Sequence, residues 1–222
     1  MASGSPGNQL DIWDVAWGNL DSLEWCFKEG GDMIAGVLLE PMRDHEPPPG
    51  YLHAVQDLCR EHGALFIIDE IVTGFRWALG GATEYYGLTP DLACYSKALG
   101  NGYPVAAVVG RERHMRFADR VSSTFGGELV GLAAAGAVLG IYTREPVIEH
   151  LWKTGRQLMH TLGLVGFPVY PRFPENPREC ADQLVTQGIL IHPAKGTFCP
   201  TYSHSEADVK AVVNAVANPC AS

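Results

Sequence analysis

The chain has 222 residues, 46% of them hydrophobic and 18% charged, with 25 glycines and 15 prolines, which is enough to bury a sizeable core. Its formal net charge is −9 and it has no basic run, so nucleic acid and anionic membrane are poor partners. No apolar run reaches the length of a membrane span, and six cysteines with no CxxC pair and no zinc-like spacing read as reduced, mostly buried thiols of a cytoplasmic protein without a metal site.

The opening MASGSPGNQ has no apolar signal core and reads as a tag or a truncation scar, so residues 1–18 are expected to be a flexible N-terminus. NLDSLEWCFKEGG (19–31) carries apolar residues at helical spacing, with Asn19 as its N-cap. MIAGVLLEP (33–41) is a continuous apolar run closed by Glu-Pro, which predicts a buried strand. RDHEPPPG (43–50) reads as a loop, and YLHAVQDLCREHG (51–63) as an amphipathic helix ending on a glycine. ALFIIDE (64–70) predicts a second buried strand, DLACYS (91–96) and PVAAVVG (104–110) two more, and RERHMRFA starts a short helix. GGELVGLAAAGAVLGIYTRE (126–145) and PVIEHLWKTGRQLMHTLG (146–163) are long helices, the first rich in small residues. Composition then shifts to prolines and aromatics in LVGFPVYPRFPENP (164–177). A helix (RECADQLVTQG), two strands (ILIHP and GTFCPTYS) and a last helix (SEADVKAVVNAVAN) capped by His204 or Ser205 follow.

Apolar strands alternating with helices predict an α/β fold, a mostly parallel sheet with helices on both faces. Residues 19–145 are expected to be the C-terminal half of a large domain, and 146–222 a short α+β C-terminal domain.

Three stretches carry chemistry. LFIIDE puts a carboxylate, Asp69, at the end of a buried strand, where α/β sheets bind ligands. The plain reading is a strand-end aspartate capping a loop. A Walker B strand would need a GxxxxGK[ST] loop, and the chain has none. CYSKALGNG holds Lys97, one of five lysines, between an apolar strand and a glycine turn. A lysine that attacks a carbonyl needs such a setting, although a snorkelling strand-end lysine also fits. SSTFGGE (122–128) leads hydroxyls and glycines into a helix start, which suits a phosphate or a simple N-cap.

Together, LFIIDEIVTGFR, LTPDLACYSKALGNGYPVAAVVG and SSTFGGE, in that order and after Glu40-Pro41, resemble the fold-type I, class III aminotransferases that use pyridoxal phosphate. DEIVTGFRWALGGATEYYGLTPDL is most similar to the glutamate-1-semialdehyde aminomutase-like branch. The resemblance covers roughly residues 19–222. It implies transfer of an amino group between an amine or amino acid and a keto or aldehyde substrate. Lys97 would form the aldimine with the cofactor and then shuttle a proton, which needs an amine made readily deprotonated by desolvation and by the cofactor. Asp69 would pair with the pyridine nitrogen. Ile71, two residues on along an extended segment, would pack on one ring face. Ser123 and Thr124 would bind phosphate, Thr124 across a homodimer interface. Glu40 would stand near the site, and Arg76 is a candidate for a substrate carboxylate.

The resemblance also implies departures. The family's reactive lysine lies well past the middle of a chain about twice as long, so this chain is expected to be an N-terminally truncated member. The missing half brings the family's phosphate turn and the aromatic residue on the ring's other face, and neither occurs before residue 33. In the loop after Glu-Pro, His45 stands where the family often has another polar residue. Two readings remain: a transaminase or aminomutase, and a weakly active or non-catalytic remnant acting as an interaction or cofactor-binding module.

Overall fold

Apolar runs with only a few residues per strand pair most readily as neighbours across helical crossovers. In the computed structural model, which describes residues 12–42, 45–116 and 123–217, strands β1 (Gly36–Leu39), β2 (Leu65–Asp69) and β3 (Leu92–Tyr95) are parallel. Strand β4 (Ala107–Gly110) completes the order β1-β2-β3-β4 and runs antiparallel to β3. Helix α2 (Tyr51–Glu61) makes the first crossover and α3 (Gly81–Tyr86) lies in the second. Helix α1 (Leu20–Gly30) packs on α2, and α4 (Glu112–Met115) follows β4. Asn19 caps α1 as expected, accepting the Ser22 N–H at 3.1 Å.

The core forms where α1 and α2 cover β2. Leu23, Phe27, Leu52, Val55, Phe66 and Ile68 are buried there. Cys59 sits among them, and burial, helped by the charge of Asp91, pushes its thiol up to about 12. The expectation of mostly buried thiols holds for Cys26 and Cys59 only: Cys94 and Cys180 are half-buried and Cys199 is exposed. Cys220 lies outside the described residues.

Two expectations near the start are corrected. β1 is an edge strand of the described sheet, paired with β2 alone, and Leu38 is 64% exposed. An edge strand has no neighbour to bury its outer side, whatever its hydrophobicity. Residues 12–18 are not loose, because Trp13 contacts Trp25 with ring centroids 5.8 Å apart and Trp17 contacts Tyr51 at 5.9 Å. Residues 1–11 of the expected flexible N-terminus lie outside the described residues.

The turn after β2 is held by one acid. Glu70 is wholly buried, and its carboxylate accepts the Thr73 hydroxyl, the Ala82 N–H at 3.0 Å and the Thr83 N–H at 2.6 Å. Gly81, at φ +79°, lets the backbone come that close, since a Cβ there would collide with the Glu70 carboxylate.

Helix α5 (Leu129–Tyr142) is apolar almost all round, yet only Gly131 and Ala135 are buried and Leu129 is 81% exposed. The chain divides into two compact units, Met1–Arg43 with Pro47–Gly140 and Asp44–Glu46 with Ile141–Ser222.

The second unit is built from α6 (Val147–Leu162), β5 (Val165–Phe167), β6 (Tyr170–Arg172), α7 (Pro177–Thr186) and α8 (Glu206–Ala217). Leu158, Phe173, Leu184, Phe198 and Val209 form its core. Its strands are not the expected ones. The proline- and aromatic-rich segment forms an antiparallel hairpin, β5 with β6. ILIHP forms no ladder, and GTFCPTYS contributes one isolated bridge, Arg172 with Thr197. Pro193 and Pro200 lack the N–H that a ladder needs, and the Phe198 N–H goes instead to the Pro171 carbonyl at 2.8 Å. Of the two caps considered for α8, Ser205 is the one used: its N–H and hydroxyl each reach Asp208 Oδ2 at 2.7 Å, and its Oγ accepts the Asp208 N–H at 3.3 Å. Those bonds hold the Asp208 carboxyl below the usual range.

Glu70→Ala is expected to destabilise the first unit by about 3 kcal/mol, because it strands two helix-start N–H groups without an acceptor. Urea unfolding followed by tryptophan fluorescence measures it, and an unchanged midpoint contradicts the anchoring role. Gly155 lies where α6 crosses the hairpin, and a Cβ there would collide with the Pro168 carbonyl. Gly155→Ala is expected to cost about 1–3 kcal/mol by overpacking. The readout is thermal melting by circular dichroism.

Candidate active site

Parallel pairing decides which residues share a sheet edge. Asp69 is the last residue of β2 and stands opposite Cys94 of β3, and Lys97 comes three residues after Cys94. Both predicted reactive groups therefore sit at the carboxyl edge of adjacent parallel strands, where α/β folds bind ligands. Burial first, and the Asp69 charge second, push the Cys94 thiol up, so the carboxylate's charge reaches across the strand pair.

Asp69 is half-buried, and its Oδ1 accepts the Ile71 N–H at 2.9 Å. This bond turns the chain at once. Ile71 thus opens a run of turns instead of continuing an extended segment, and the alternation expected to aim it alongside Asp69 is absent. Asp69 Oδ2 has no partner among the described residues. A small cavity of about 280 Å³ opens beside it, walled by Trp17, Leu38, Leu39 and Glu40. Trp17 is fixed there by its Nε1–H, which donates to the Glu40 carbonyl at 2.8 Å. Glu40 thus stands near Asp69, as expected. Trp17 was not anticipated, since neither spacing nor motif marks it in a segment read as flexible.

Lys97 opens a 3-10 turn, Lys97–Leu99, with φ at +42°. A left-handed lysine is uncommon and persists where its surroundings impose it. Here the Lys97 carbonyl accepts the Gly100 N–H at 3.1 Å and the Asn101 N–H at 2.9 Å, while the Ser96 hydroxyl donates to the Val105 carbonyl at 2.8 Å. A Cβ on Gly100 would collide with the Tyr103 carbonyl, so the glycine of CYSKALGNG is needed for the turn to close. The Lys97 side chain is exposed and makes no hydrogen bond or ion pair among the described residues. The desolvation expected around it is not supplied by this chain's described residues.

The preceding residue pair ties this edge to the turn after β2. The Tyr95 hydroxyl donates to the Gly80 carbonyl at 3.1 Å, and its ring meets Phe75 at 5.4 Å. Burial, then the charges of Glu70 and Glu84, push the Tyr95 hydroxyl up to about 12. Arg76 is half-buried in the same turn.

Ser123 and Thr124 are exposed at the tight turn before α5, and their hydroxyls have no partner among the described residues. The helix-start N–H groups expected to suit a phosphate are already occupied, because the Glu128 carboxylate accepts from Gly131 and, at 2.9 Å, from Val130. No hydrogen bond or ion pair among the described residues joins this turn to Asp69 or Lys97. Among the described residues there is no group of three or more His, Cys, Asp or Glu placed to hold a metal, and no helix long and apolar enough to cross a membrane.

Known proteins are similar to this chain. The family model described as aminotransferase class-III matches residues 11–166. The chain is 32% identical over 237 residues to the 3-aminobutyryl-CoA aminotransferase of Cloacimonas acidaminovorans, covering 93% of this chain and 57% of that protein. It is 36% identical over 184 residues to a glutamate-1-semialdehyde 2,1-aminomutase of Syntrophobacter fumaroxidans, covering 75% of this chain and 42% of that one. Among solved structures, the internal aldimine form, with PLP, of the FumI protein from Sphingopyxis sp. MTA144 superposes with a TM-score of 0.80 at 28% identity, over 90% of this chain and 54% of that one. An omega-transaminase from Sphaerobacter thermophilus shares the fold, with a TM-score of 0.80 at 22% identity, over 91% and 55%. The chain thus spans about half the length of the relatives it matches. The strand-end aspartate, the lysine turn of the next parallel strand and the α/β sheet that pairs them all lie inside the matched region, and the chain belongs to the class-III aminotransferase family.

Proposed function

We propose that this chain carries the cofactor-binding sheet edge of an enzyme that uses pyridoxal phosphate to move an amino group between an amine or amino acid and a keto or aldehyde compound, as a transaminase or an aminomutase. The observation that carries the reading is the pairing at one edge of a free carboxylate oxygen, Asp69 Oδ2, with a free amine on a constrained turn, Lys97. The family membership supports it. When bound, pyridoxal phosphate supplies an electron sink for the substrate's amine-bearing carbon.

The residues fit that group. Asp69 keeps Oδ1 on the Ile71 N–H, so Oδ2 is left to hold a proton on a ring nitrogen, and the cavity beside it is walled by flat or apolar groups. Lys97 would supply the amine that holds the cofactor, and its Nζ would accept and return a proton. Its fixed backbone turn limits where the side chain reaches. Ile71, held beside Asp69 by that bond, would line the ring's pocket, and the exposed hydroxyls of Ser123 and Thr124 would serve as phosphate ligands, Thr124 in a homodimer partner's site. Residues 19–145 would supply the C-terminal half of the large cofactor-binding domain of this enzyme and 146–222 an abbreviated small domain. The exposure of Lys97 favours a second reading, in which the chain binds the cofactor without efficient turnover.

Borohydride treatment of the chain with added pyridoxal phosphate is expected to leave a pyridoxyl group on Lys97, located by peptide mapping. Label spread over Lys28, Lys153, Lys195 and Lys210 would remove the assignment. Asp69→Asn is expected to keep that label but raise the turnover barrier by about 2–4 kcal/mol, as for other lost charge-stabilising groups. Equal turnover by the variant and the parent would contradict the role of Asp69, and labelling at Lys97 with no turnover by the parent chain selects the second reading.

A further inference from the structure

The second unit contains a cavity of about 1040 Å³, at the upper end of the range for small-molecule sites. Its floor is core: Leu158 of α6, Phe198 and Val209 of α8 line it and are buried. One wall is the ILIHP segment that forms no ladder. Leu190 in this wall is 84% exposed, and its backbone N–H meets no acceptor among the described residues. The apolar strand signal of the sequence is therefore spent on lining a cavity.

The rim adds direction. His192 and His204 are exposed and line the cavity. His192 Nδ1 accepts the Lys195 N–H at 3.2 Å, and His204 Nδ1 accepts the Thr201 N–H at 3.0 Å. A ring nitrogen that accepts a backbone N–H carries no proton, so the neutral imidazole holds its proton on Nε2. Each ring thus offers one Nε2–H donor, and neither donor has an acceptor among the described residues. Asp208 places a carboxylate on the same rim, which disfavours an anionic head group. Two free donors beside an apolar floor call for an oxygen acceptor on an apolar body.

We propose that this cavity binds an uncharged apolar molecule of acyl-chain type whose carbonyl oxygen accepts from the His192 and His204 rings. The site lies wholly within the second unit and does not depend on the amino-transfer reading.

The test uses the full chain, Nile red as a neutral carbonyl-bearing fluorescent probe, and a matched pair of competitors, methyl octanoate and octanoate. Nile red is expected to bind saturably at one site per chain, and methyl octanoate to displace it at least tenfold more effectively than octanoate. Ala211 lines the cavity from the exposed face of α8, so Ala211→Trp fills it without disturbing the core, and is expected to abolish binding. His192→Phe keeps a ring but removes the donor, and is expected to weaken methyl octanoate severalfold. A Leu129→Glu, Leu132→Glu variant of the exposed α5 controls for dye on that helix and is expected to bind as the parent does. Absence of saturable binding, binding that survives Ala211→Trp, or binding lost in the α5 variant overturns the site. Equal displacement by octanoate overturns the assignment of an uncharged ligand.

Discussion

The buried carboxylate of Glu70 is the constraint on which the candidate active site depends. A carboxylate taken out of water must be met by donors, and here a hydroxyl and two backbone N–H groups converge on it. Those donors come from the turn after β2 and from the start of α3, so satisfying the charge folds the chain back immediately after Asp69. Asp69 then cannot be drawn into a longer strand, and it stays at the sheet edge with one oxygen free. The Tyr95 hydroxyl and ring extend the same brace to β3, whose next turn carries Lys97. Acid and lysine are positioned by one network although they are 28 residues apart in sequence, from 69 to 97.

The two units handle hydrophobicity differently. In the first, α1 and α2 bury one set of apolar side chains, while Leu38 of β1 and much of α5 stay exposed. Apolar surface on that scale is unusual for a unit that functions uncovered, and it falls in a chain that spans about half the length of its relatives. In the second, the core is continuous beneath a cavity, and the unpaired ILIHP segment walls it. Pro193, at the end of that segment, and Pro200, in the next, have no N–H to donate to a ladder there.

Lys97 shows how far backbone geometry shapes the candidate site. Its left-handed conformation is not a property that lysine favours. The carbonyl bonds to Gly100 and Asn101, with the glycine at 100 fitting against Tyr103, impose it. Gly100 of CYSKALGNG is thus part of what holds the Lys97 backbone in this turn.

The sequence by itself determined the α/β class, the capped helix α1, the presence of α8, the order of the candidate site residues and the family, because these rest on local signals: apolar periodicity, cap residues and motifs whose residues are close in the chain. Strand existence was legible in the same way for β2 and β3. Tertiary structure alone decided the rest. Whether β1 is buried depends on having neighbours, not on its own residues. Whether Ile71 continues a strand depends on where the Asp69 side chain finds a donor. Trp17 reaches Glu40 from 23 positions away, a distance at which no local pattern operates. ILIHP reads as a strand by composition, but a strand is a pairing, and its tie to GTFCPTYS is a single turn in which the His192 N–H donates to the Thr197 carbonyl at 3.1 Å, while Phe198 bonds Pro171 of the hairpin. Each difference has one physical cause: hydrogen bonds and burial are completed between segments, and a sequence read locally contains only one side of each.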